Sequence, residues 1–248
     1  MRRHRFVLVA LSALLFTTSA PAAAADSVNV AYVNANDFVP AFVAKDTGIF
    51  AKHNLDVTLK PQRIISQIPV ALQAGAIDIG SVPPTVLLQS REGGVDLVAI
   101  AGASRQERKS PTISLVTNVA TIRTAEDLKG KKIGVPGLYG GLDVTLREWL
   151  RSKNVPTSSV TFVELPLTSL GEMLTRNQVD AVAVIEPVRS RILGQPGVTK
   201  IADYLADLRD DINLVFWGSA FVRDVAPRCA AALSCIARRG DAVHVGEP

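Results

Sequence analysis

Residues 71–84 (ALQAGAIDIGSVPP) decide the fold of this chain. A helical end, a glycine turn and Asp78 lead into a short apolar run that closes at Pro83, which is the order of a helix followed by a buried strand. About 100 residues later, Asp180 opens a similar run that closes at Pro187. This weak internal repeat, in a chain of 248 residues, predicts two similar lobes.

Short β-branched runs alternate with longer helical stretches on both sides of this segment. Several runs are apolar on both faces, as strands of a covered parallel sheet are, so an α/β fold is predicted. The predicted strands are 28–33, 56–59, 77–80, 97–102, 132–135, 160–163 and 181–185, and the predicted helices are 38–47, 65–74, 84–91, 142–153, 168–176 and 187–193. Crossover strands at 112–117 and 213–219 are expected to join a first lobe (26–115 and 217–248) to a second lobe (116–216).

The charge of the chain excludes one class of partner. The formal net charge of +4 arises mainly from Arg2, Arg3 and Arg5, which precede the first acidic residue, Asp26. Beyond residue 25 the chain carries 24 basic and 23 acidic side chains. A nucleic-acid binder needs a basic face on its folded part, so nucleic acid is not expected as a partner.

The first 25 residues have the order of an export signal. A basic start (residues 2–5) precedes an apolar run (residues 6–16, FVLVALSALLF), and small residues then offer a cleavage site near Ala24 or Ala25. The apolar run is too short to span a bilayer comfortably. We therefore expect a cleaved signal peptide rather than a membrane anchor, and a mature protein in the periplasm.

The C-terminal segment 225–248 shows little amphipathic order and contains both cysteines, Cys229 and Cys235. On one continuous helix their spacing would place the Cα atoms too far apart for a disulfide, so two unpaired thiols are expected, although a loop could join them. We expect this segment to pack poorly and to leave an apolar face of the first lobe uncovered, which would promote association.

Unusual residues follow the predicted strands at five places. In open α/β sheets, ligands bind beyond the carboxyl ends of strands, where the N–H groups of the next helix can receive an anionic group. Ordinary turn chemistry explains each loop singly, but the convergence of five loops favours a ligand site. The loops are 34–37 (NAND), 80–84 (GSVPP), 102–104 (GAS), 136–141 (PGLYGG), which contains Tyr139, and Glu186 with Pro187.

The sequence carries no hydrolase motif, no nucleotide-binding loop and no metal-ligand spacing. Only His53 and His244 lie beyond the export signal, far apart in sequence, and residues 137–141 lack the spacing of a dinucleotide fingerprint. We therefore expect no enzymatic activity, no metal and no cofactor. Glu186 needs a separate explanation, because a carboxylate at the end of an apolar strand either faces a cleft or is costly to bury.

Four ordered motifs are spread along nearly the whole mature chain. They are 42–50 (FVAKDTGIF) with 54–57 (NLDV), then 71–80 (ALQAGAIDIG), 127–136 (DLKGKKIGVP) and 179–181 (VDA) leading to Glu186 and Pro187. This ordered set resembles the substrate-binding proteins of ABC importers of the nitrate, sulfonate and taurine type, which are related to pyrimidine-precursor and thiamine-biosynthesis-like binders. The resemblance implies a bilobed type-II periplasmic-binding fold, and it carries the ligand site to Asn36, Asp37, Ser81, Val82, Ser104, Gly140, Gly141 and Glu186.

The resemblance also implies partners and a mechanism. The implied partners are a small-molecule ligand, a permease and the ATPase subunit of that permease. The binding protein would contact the membrane only through the permease, and it would be a monomer. Ligand binding is expected to close the lobes by rotation about 113–117 and 214–219. Members of the family continue further at the C-terminus, so we expect this part to be truncated. The alternatives are a truncated relic without function and an enzyme on the same fold: a decarboxylase, a dehydratase or a pyrimidine-precursor synthase.

The sequence leaves the charge of the ligand open. Asp37 and Glu186 favour a positively polarised or hydrogen-bond-donating group, whereas helix N-termini favour an anionic one. Sulfonates, nitrate, taurine and pyrimidines are the candidate ligands.

Overall fold

The computed structural model describes residues 24–219 and 225–237, which form two five-stranded sheets. The strands are β1 (Asp26–Tyr32), β2 (Leu55–Pro61), β3 (Ile79–Val82), β4 (Val98–Glu107), β5 (Ile113–Thr117), β6 (Lys132–Val135), β7 (Thr161–Glu164), β8 (Ala181–Ile185), β9 (Thr199–Ala202) and β10 (Asp211–Ser219). The first sheet has the order β2-β1-β3-β10-β4, and the second has the order β7-β6-β8-β5-β9.

Helices cover both sheets and complete two lobes. They are α1 (Val39–Asp46), α2 (Ile49–Lys52), α3 (Ile68–Gln73), α4 (Pro84–Glu92), α5 (Gly141–Ser152), α6 (Leu170–Thr175), α7 (Val188–Leu193), α8 (Tyr204–Leu208) and α9 (Val225–Ala237). The first sheet with α1–α4 and α9 is called the first lobe, and the second sheet with α5–α8 the second lobe. The structure confirms the predicted α/β fold and adds α2, α8 and β9, which are too short for their patterns to stand out.

The two lobes repeat one topology. The strand orders of the two sheets correspond position by position. The first sheet reads β2-β1-β3-β10-β4, and the strands in the same places of the second sheet are β7-β6-β8-β5-β9. The matched aspartates even make the same contact, since Asp78 accepts a hydrogen bond from the N–H of Asn29 on β1 and Asp180 from that of Lys132 on β6, at 2.8 and 2.7 Å. The internal repeat read from the sequence is therefore confirmed.

The strand directions explain the hydrophobic pattern. β1 is parallel to β2 and β3, whereas β10, which returns from the second lobe, is antiparallel to β3 and β4. All residues of β5 and β8 are buried, which accounts for strands that are apolar on both faces. Gly80 in β3 permits the close approach of α3, because a Cβ there would lie 2.3 Å from Cγ2 of Ile68.

The crossings between the lobes lie earlier in the chain than predicted. Among the described strands, β5 pairs only with β8 and β9, and β10 only with β3 and β4, so each predicted crossover strand belongs to one sheet. The chain therefore crosses at 108–112 and at 209–210, rather than within 113–117 and 214–219. The Gln106 side chain braces the first crossing, since its amide oxygen accepts hydrogen bonds from the N–H and the hydroxyl of Thr112. The lobe boundaries at 115 and 216 stay a prediction.

The C-terminal segment contradicts one expectation. Residues 225–237 form α9, in which Cys229, Ala232 and Leu233 are fully buried against the first lobe. Their i, i+3, i+4 spacing is a helical stripe of small side chains, which explains why the sequence seemed to lack amphipathic order. The expectation of poor packing is therefore wrong for 225–237, and residues 238–248 lie outside the described residues.

The environment of Cys229 agrees with an unpaired thiol. Cys229 is free and buried, and this burial raises the pKa of its thiol to about 12. A thiol in such surroundings is unreactive. Arg228 holds the start of α9 against the edge of the first sheet through an ion pair with Asp26 and a hydrogen bond to the Asn54 carbonyl at 3.2 Å.

None of the described helices is long and apolar enough to cross a membrane. The proposed export signal covers residues 1–25, almost all of which lie outside the described residues, so it stays a prediction.

Candidate functional site

The loops that follow β1, β3, β6 and β8 face one another across a cleft between the lobes. The more enclosed part, called the inner cavity, holds about 50 Å³ of free space. This is room for only a few water molecules. Its walls include Asp37, Arg63 and Pro83 from the first lobe and Gly137, Gly140 and Leu142 from the second.

A more open part of the cleft, called the outer groove, shares Val33 and Ala35 with the inner cavity. It has a volume of about 550 Å³, within the range of about 300–1,000 Å³ that small-molecule sites occupy. The first lobe contributes Asn36, Val39 and Phe42, and the second contributes Thr168, Pro187 and Arg191.

One short turn, Asn36–Phe38, presents the first lobe to both parts of the cleft. Phe38 anchors the turn, because its ring is fully buried and packs edge-to-face on Trp217 of β10 at a centroid distance of 5.7 Å. The N–H of Asn36 donates a hydrogen bond to the main-chain carbonyl of Glu186 at 3.0 Å, which ties the first lobe to the second. The position of Asp37 is thus fixed from both sides.

Asp37 is a buried carboxylate in the wall of the inner cavity. Its exposed fraction is 7%, and no cation of the described residues forms an ion pair with it. Burial raises its pKa to about 6, and the nearby Ser104 hydroxyl offsets this only in part. The charged form of Asp37 is therefore poorly compensated in the ligand-free protein.

Several buried polar atoms of the first lobe lack a hydrogen-bond partner among the described residues. Native proteins pair almost all such atoms, so each exception needs an explanation such as a ligand or a water molecule. Asn36 and Ser81 belong to this group and to the residues that the sequence predicted to bind ligand. The atoms are Asn36 Oδ1, Ser81 Oγ, Thr85 Oγ1 and Trp217 Nε1.

The glycine loop of the second lobe is held by Asp143, which the sequence did not single out. Asp143 is fully buried and accepts hydrogen bonds from the N–H of Tyr139 at 2.7 Å and from Nε of Arg147 at 2.8 Å. Tyr139 adopts a left-handed conformation with φ of 59°. Gly140 and Gly141 consequently line the inner cavity at the N-terminus of α5.

Glu186 contacts the cleft through its main chain, and its carboxylate turns to its own lobe. The carboxylate accepts hydrogen bonds from Nη1 of Arg189 at 2.8 Å, from the Ser190 N–H at 3.1 Å and from the Ser190 hydroxyl at 2.8 Å. Burial raises the pKa of this group, but these hydrogen bonds and the Arg189 charge outweigh it and hold the pKa below its usual range.

Arg189 is the centre of a network behind this loop. Its Nε donates to the Ser114 hydroxyl at 2.6 Å, and its Nη2 lies 3.4 Å from Asp203. Lys200 also pairs with Asp203, at 2.6 Å. Glu186 is thereby locked against β5 and the loop before α8.

Two further contacts join the lobes beside the inner cavity. The Ser66 hydroxyl donates to Oε1 of Glu164 at 3.1 Å, and the same oxygen accepts a hydrogen bond from the N–H of Leu138 at 3.1 Å. A Cβ at Gly137 would lie 3.0 Å from Cγ2 of Ile65, so the two lobes meet at a glycine.

The structure brings together some of the predicted site residues and not others. Asn36, Asp37, Gly140 and Gly141 line the cleft, whereas Tyr139 is 57% exposed and lies outside the walls of both parts. Ser81, Val82 and Ser104 lie on β3 and β4 without lining either part. The ligand contacts of all nine predicted residues stay a prediction.

Sequence reasoning missed Arg63 and Glu164, two charged residues at the cleft. Arg63 follows β2 and Glu164 ends β7, and each of these strands is the edge neighbour of the central parallel strand in its sheet. The strand-end rule that selected the five loops applies to them equally. The structure places Arg63 in the wall of the inner cavity.

No metal centre is apparent in the part of the chain that the structure describes, since no three His, Cys, Asp or Glu side chains are grouped to hold an ion.

Comparison with protein families identifies the chain. A model of the NMT1/THI5-like family matches residues 35–216, about three quarters of the sequence, including both lobes and the cleft loops. The chain belongs to the NMT1/THI5-like family. A search of curated protein sequences finds no match. The resemblance to importer substrate-binding proteins seen in the sequence is confirmed.

Solved structures confirm the bilobed periplasmic-binding fold. The alkanesulfonate-binding protein SsuA from Xanthomonas axonopodis pv. citri, bound to MOPS, is 22% identical and superimposes with a TM-score of 0.67 over 88% of this chain and 72% of that one. SsuA from Escherichia coli is 21% identical with a TM-score of 0.64, covering 87% and 75% of the two chains. The nitrate-binding protein NrtA from Synechocystis PCC 6803 is 18% identical with a TM-score of 0.69, covering 84% and 59%.

Proposed function

We propose that this chain is the solute-binding component of an ABC importer. It captures a small sulfonate-, nitrate- or taurine-like solute between its lobes and delivers it to a permease that works with an ATPase subunit. The observation that carries the proposal is the groove of about 550 Å³ between the two lobes, which is lined by Asn36, a residue whose buried amide oxygen has no hydrogen-bond partner among the described residues. A bound solute would satisfy atoms that the protein leaves without partners.

The family and the neighbouring structures support this function. The neighbours are sulfonate-binding and nitrate-binding periplasmic proteins, so the proposal places this chain in the periplasm as well, with a cleaved export signal and a monomeric state. The small inner cavity and the few contacts between the lobes support a mechanism in which the lobes part to admit the solute and close on it.

No observation favours the alternative of an enzyme on this fold. His53 lies at the end of α2, and Cys229 is buried in α9 with a raised pKa, so neither of these groups lines the cleft. Asp37 is the acidic group in the inner cavity, and it lies beside a serine rather than a paired base. The proposal is accordingly binding without turnover.

A thermal-shift screen tests the proposed function. Ethanesulfonate, taurine, nitrate and a hydroxymethylpyrimidine are compared with glucose as a solute of unrelated chemistry. A true ligand at about 100 times its Kd should stabilise the protein by about 2.7 kcal/mol, which is several degrees in the melting temperature of a protein of this size. Small-angle scattering of the same complex should show a smaller radius of gyration than the ligand-free protein.

A matched pair of variants ties binding to the cleft. Ser104→Ala removes the hydroxyl beside Asp37, a residue of the inner cavity wall, and should weaken the ligand about fivefold to tenfold with little change in the melting temperature. Ser159→Ala removes a hydroxyl from a turn of the second lobe and should bind normally. Equal binding by both variants, or melting temperatures that no solute raises, would count against a solute site in this cleft.

A further inference from the structure

A buried glutamine lies where the chain first crosses from one lobe to the other. Gln106 is the penultimate residue of β4, and its exposed fraction is 1%. Its amide nitrogen donates hydrogen bonds to the carbonyls of Glu107 and Ser110, at 2.9 and 3.1 Å. Its amide oxygen accepts from the N–H of Thr112 at 3.0 Å and from the Thr112 hydroxyl at 2.7 Å. A glutamine amide has two donor hydrogens and two acceptor lone pairs, so its whole capacity is used.

These hydrogen bonds attach the first crossing to the first lobe. Burying an amide is costly unless it is hydrogen-bonded, and an apolar side chain would fill the same place at lower cost. What the amide adds is a fixed position for Thr112, the last residue before β5 of the second lobe. The second crossing is tied to the first, since the N–H of Arg108 donates to the Asp210 carbonyl at 3.0 Å and their side chains form an ion pair.

Thr112 in turn determines where Glu186 lies. β5 and β8 are antiparallel with Ile113 opposite Ile185, and the N–H of Glu186 extends this ladder by donating to the Thr112 carbonyl at 3.0 Å. Directly opposite residues of an antiparallel pair have Cα atoms only about 5 Å apart. A shift of Thr112 therefore moves Glu186 with it.

The carbonyl of Glu186 contacts the first lobe again. It accepts the hydrogen bond from the N–H of Asn36 at 3.0 Å, across the cleft. The path from Gln106 through Thr112 and Glu186 to Asn36 thus begins and ends in the first lobe, and every step of it is a hydrogen bond of 2.7–3.0 Å. The hinge and the turn at the cleft are joined through Thr112 and Glu186.

We infer that Gln106 is a positioning residue for lobe closure, which from the hinge holds the second lobe at the angle where the Glu186 carbonyl meets Asn36. Gln106 is not among the described residues that line the cleft, so it acts on a solute only through this angle. This role rests on the lobe closure of the proposed function, but it requires no particular solute. Residues that contact no ligand can change a coupling equilibrium by about twofold to thirtyfold.

Hydrogen exchange of the solute-free protein, followed by NMR, tests this role. The main-chain amide of Asn36 reports the contact between the lobes. The amides of Asp78 and Asp180, which donate to carbonyls within their own lobes, report the stability of each lobe. Gln106→Met keeps the length of the side chain and removes its amide. The Asn36 amide should exchange about twofold to thirtyfold faster in this variant, and by a larger factor than either reference amide.

Thr112 provides a milder series of variants. Thr112→Val removes the hydroxyl that donates to Gln106 and keeps the N–H, so Asn36 should exchange faster than in the wild type but slower than in Gln106→Met. Thr112→Ser keeps both groups and should match the wild type. Gln178→Met removes an exposed glutamine amide of the second lobe and should match it as well.

Two results would overturn the inference. The first is exchange at Asn36 that is unchanged in both Gln106→Met and Thr112→Val. The second is an acceleration no larger than that of the Asp78 and Asp180 amides, which would make Gln106 a residue of general stability. If Gln106→Met does not fold, the Thr112 variants distinguish these outcomes by themselves. None of these measurements uses a solute, so a failed thermal-shift screen would contradict the proposed function and leave this result standing.

Discussion

Asp37 and Glu186 are neighbours across the cleft, and the two carboxylates have opposite environments. Asp37 is buried with a raised pKa and without an ion pair among the described residues. Glu186 is held by Arg189 and Ser190, and its pKa is lowered. The two loops nevertheless touch directly, through the N–H of Asn36 and the Glu186 carbonyl.

The two carboxylates differ in whether their own lobe supplies a charged partner. At the cleft, the second lobe pairs the Glu186 carboxylate with its own Arg189 and Ser190, whereas the first lobe leaves Asp37 without an ion pair among the described residues. A residue that destabilises the free protein and lies at a cleft is typical of a functional site. Four substitutions test this difference.

The largest effect is expected from Arg189, the centre of the network in the second lobe. Arg189→Gln leaves Glu186 and Asp203 without their shared cation and should lower the free energy of unfolding by about 3 kcal/mol, the low end for a broken buried ion pair. Urea denaturation measures the loss. Arg176→Gln breaks an exposed pair with Glu172 and should cost less than about 1 kcal/mol. Similar losses in the two variants would show that the network is not structural.

The second effect concerns the charge of Asp37 and depends on pH. The folded-state pKa of about 6 lies above the ordinary value of 3.8, so protonation favours folding and this stability is lost as the pH rises through 6. Asp37→Asn should therefore gain stability relative to the wild type between about pH 4 and pH 8, by at most about 3 kcal/mol. Urea midpoints of both proteins at the two pH values measure it. A difference that stays constant with pH would mean that the Asp37 pKa is not raised.

The fold could be predicted from the sequence, and so could the positions of Asp37 and Glu186 at the cleft. The full set of contacts around Glu186 could not. Asp78 and Asp180 could be matched because each precedes an apolar run, and the structure gives both the same strand contact. The positions of Asp37 and Glu186 followed from their places after buried strands. Arg189 is a possible partner of Glu186 from the sequence alone, but its further contacts with Ser114 and Asp203 could not be predicted, because these residues meet only when β5 and β8 pair.

Two other elements show where sequence patterns fail. α9 was missed since its buried stripe consists of small residues, Cys229 and Ala232 together with Leu233, which weigh little as a hydrophobic pattern. The crossings were placed too late because β5 and β10 both contain buried apolar residues, such as Leu115 and Val215, and nothing in the sequence says which sheet a buried strand joins. Tertiary contacts determine both the packing of α9 and the sheet that each strand joins.

The third prediction uses the glycine at which the lobes meet. Gly137→Ala places a Cβ about 3 Å from Ile65 across the cleft and should oppose closure, weakening the ligand about tenfold. Calorimetric titration measures the affinity, and the melting temperature should not change. Adding Ile65→Ala removes the clash and should restore most of the affinity. Gly194→Ala, which meets only ordinary contacts, serves as the control. No rescue by Ile65→Ala would locate the defect within the glycine loop itself.

The smallest effect is expected from Glu186→Gln, which removes the charge and keeps the shape. Gln can still accept from Ser190, so the free energy of unfolding should fall by only about 1 kcal/mol. The main-chain carbonyl that meets Asn36 is unchanged, so the ligand affinity should stay within about twofold of the wild type. Titration and urea denaturation of the same preparation give both quantities, and Glu126→Gln, from an exposed pair with Lys129, controls for the loss of a charge. A tenfold loss of affinity with unchanged stability would show that the Glu186 carboxylate contacts the ligand, as the sequence predicted, and that it does not differ from Asp37 in this respect.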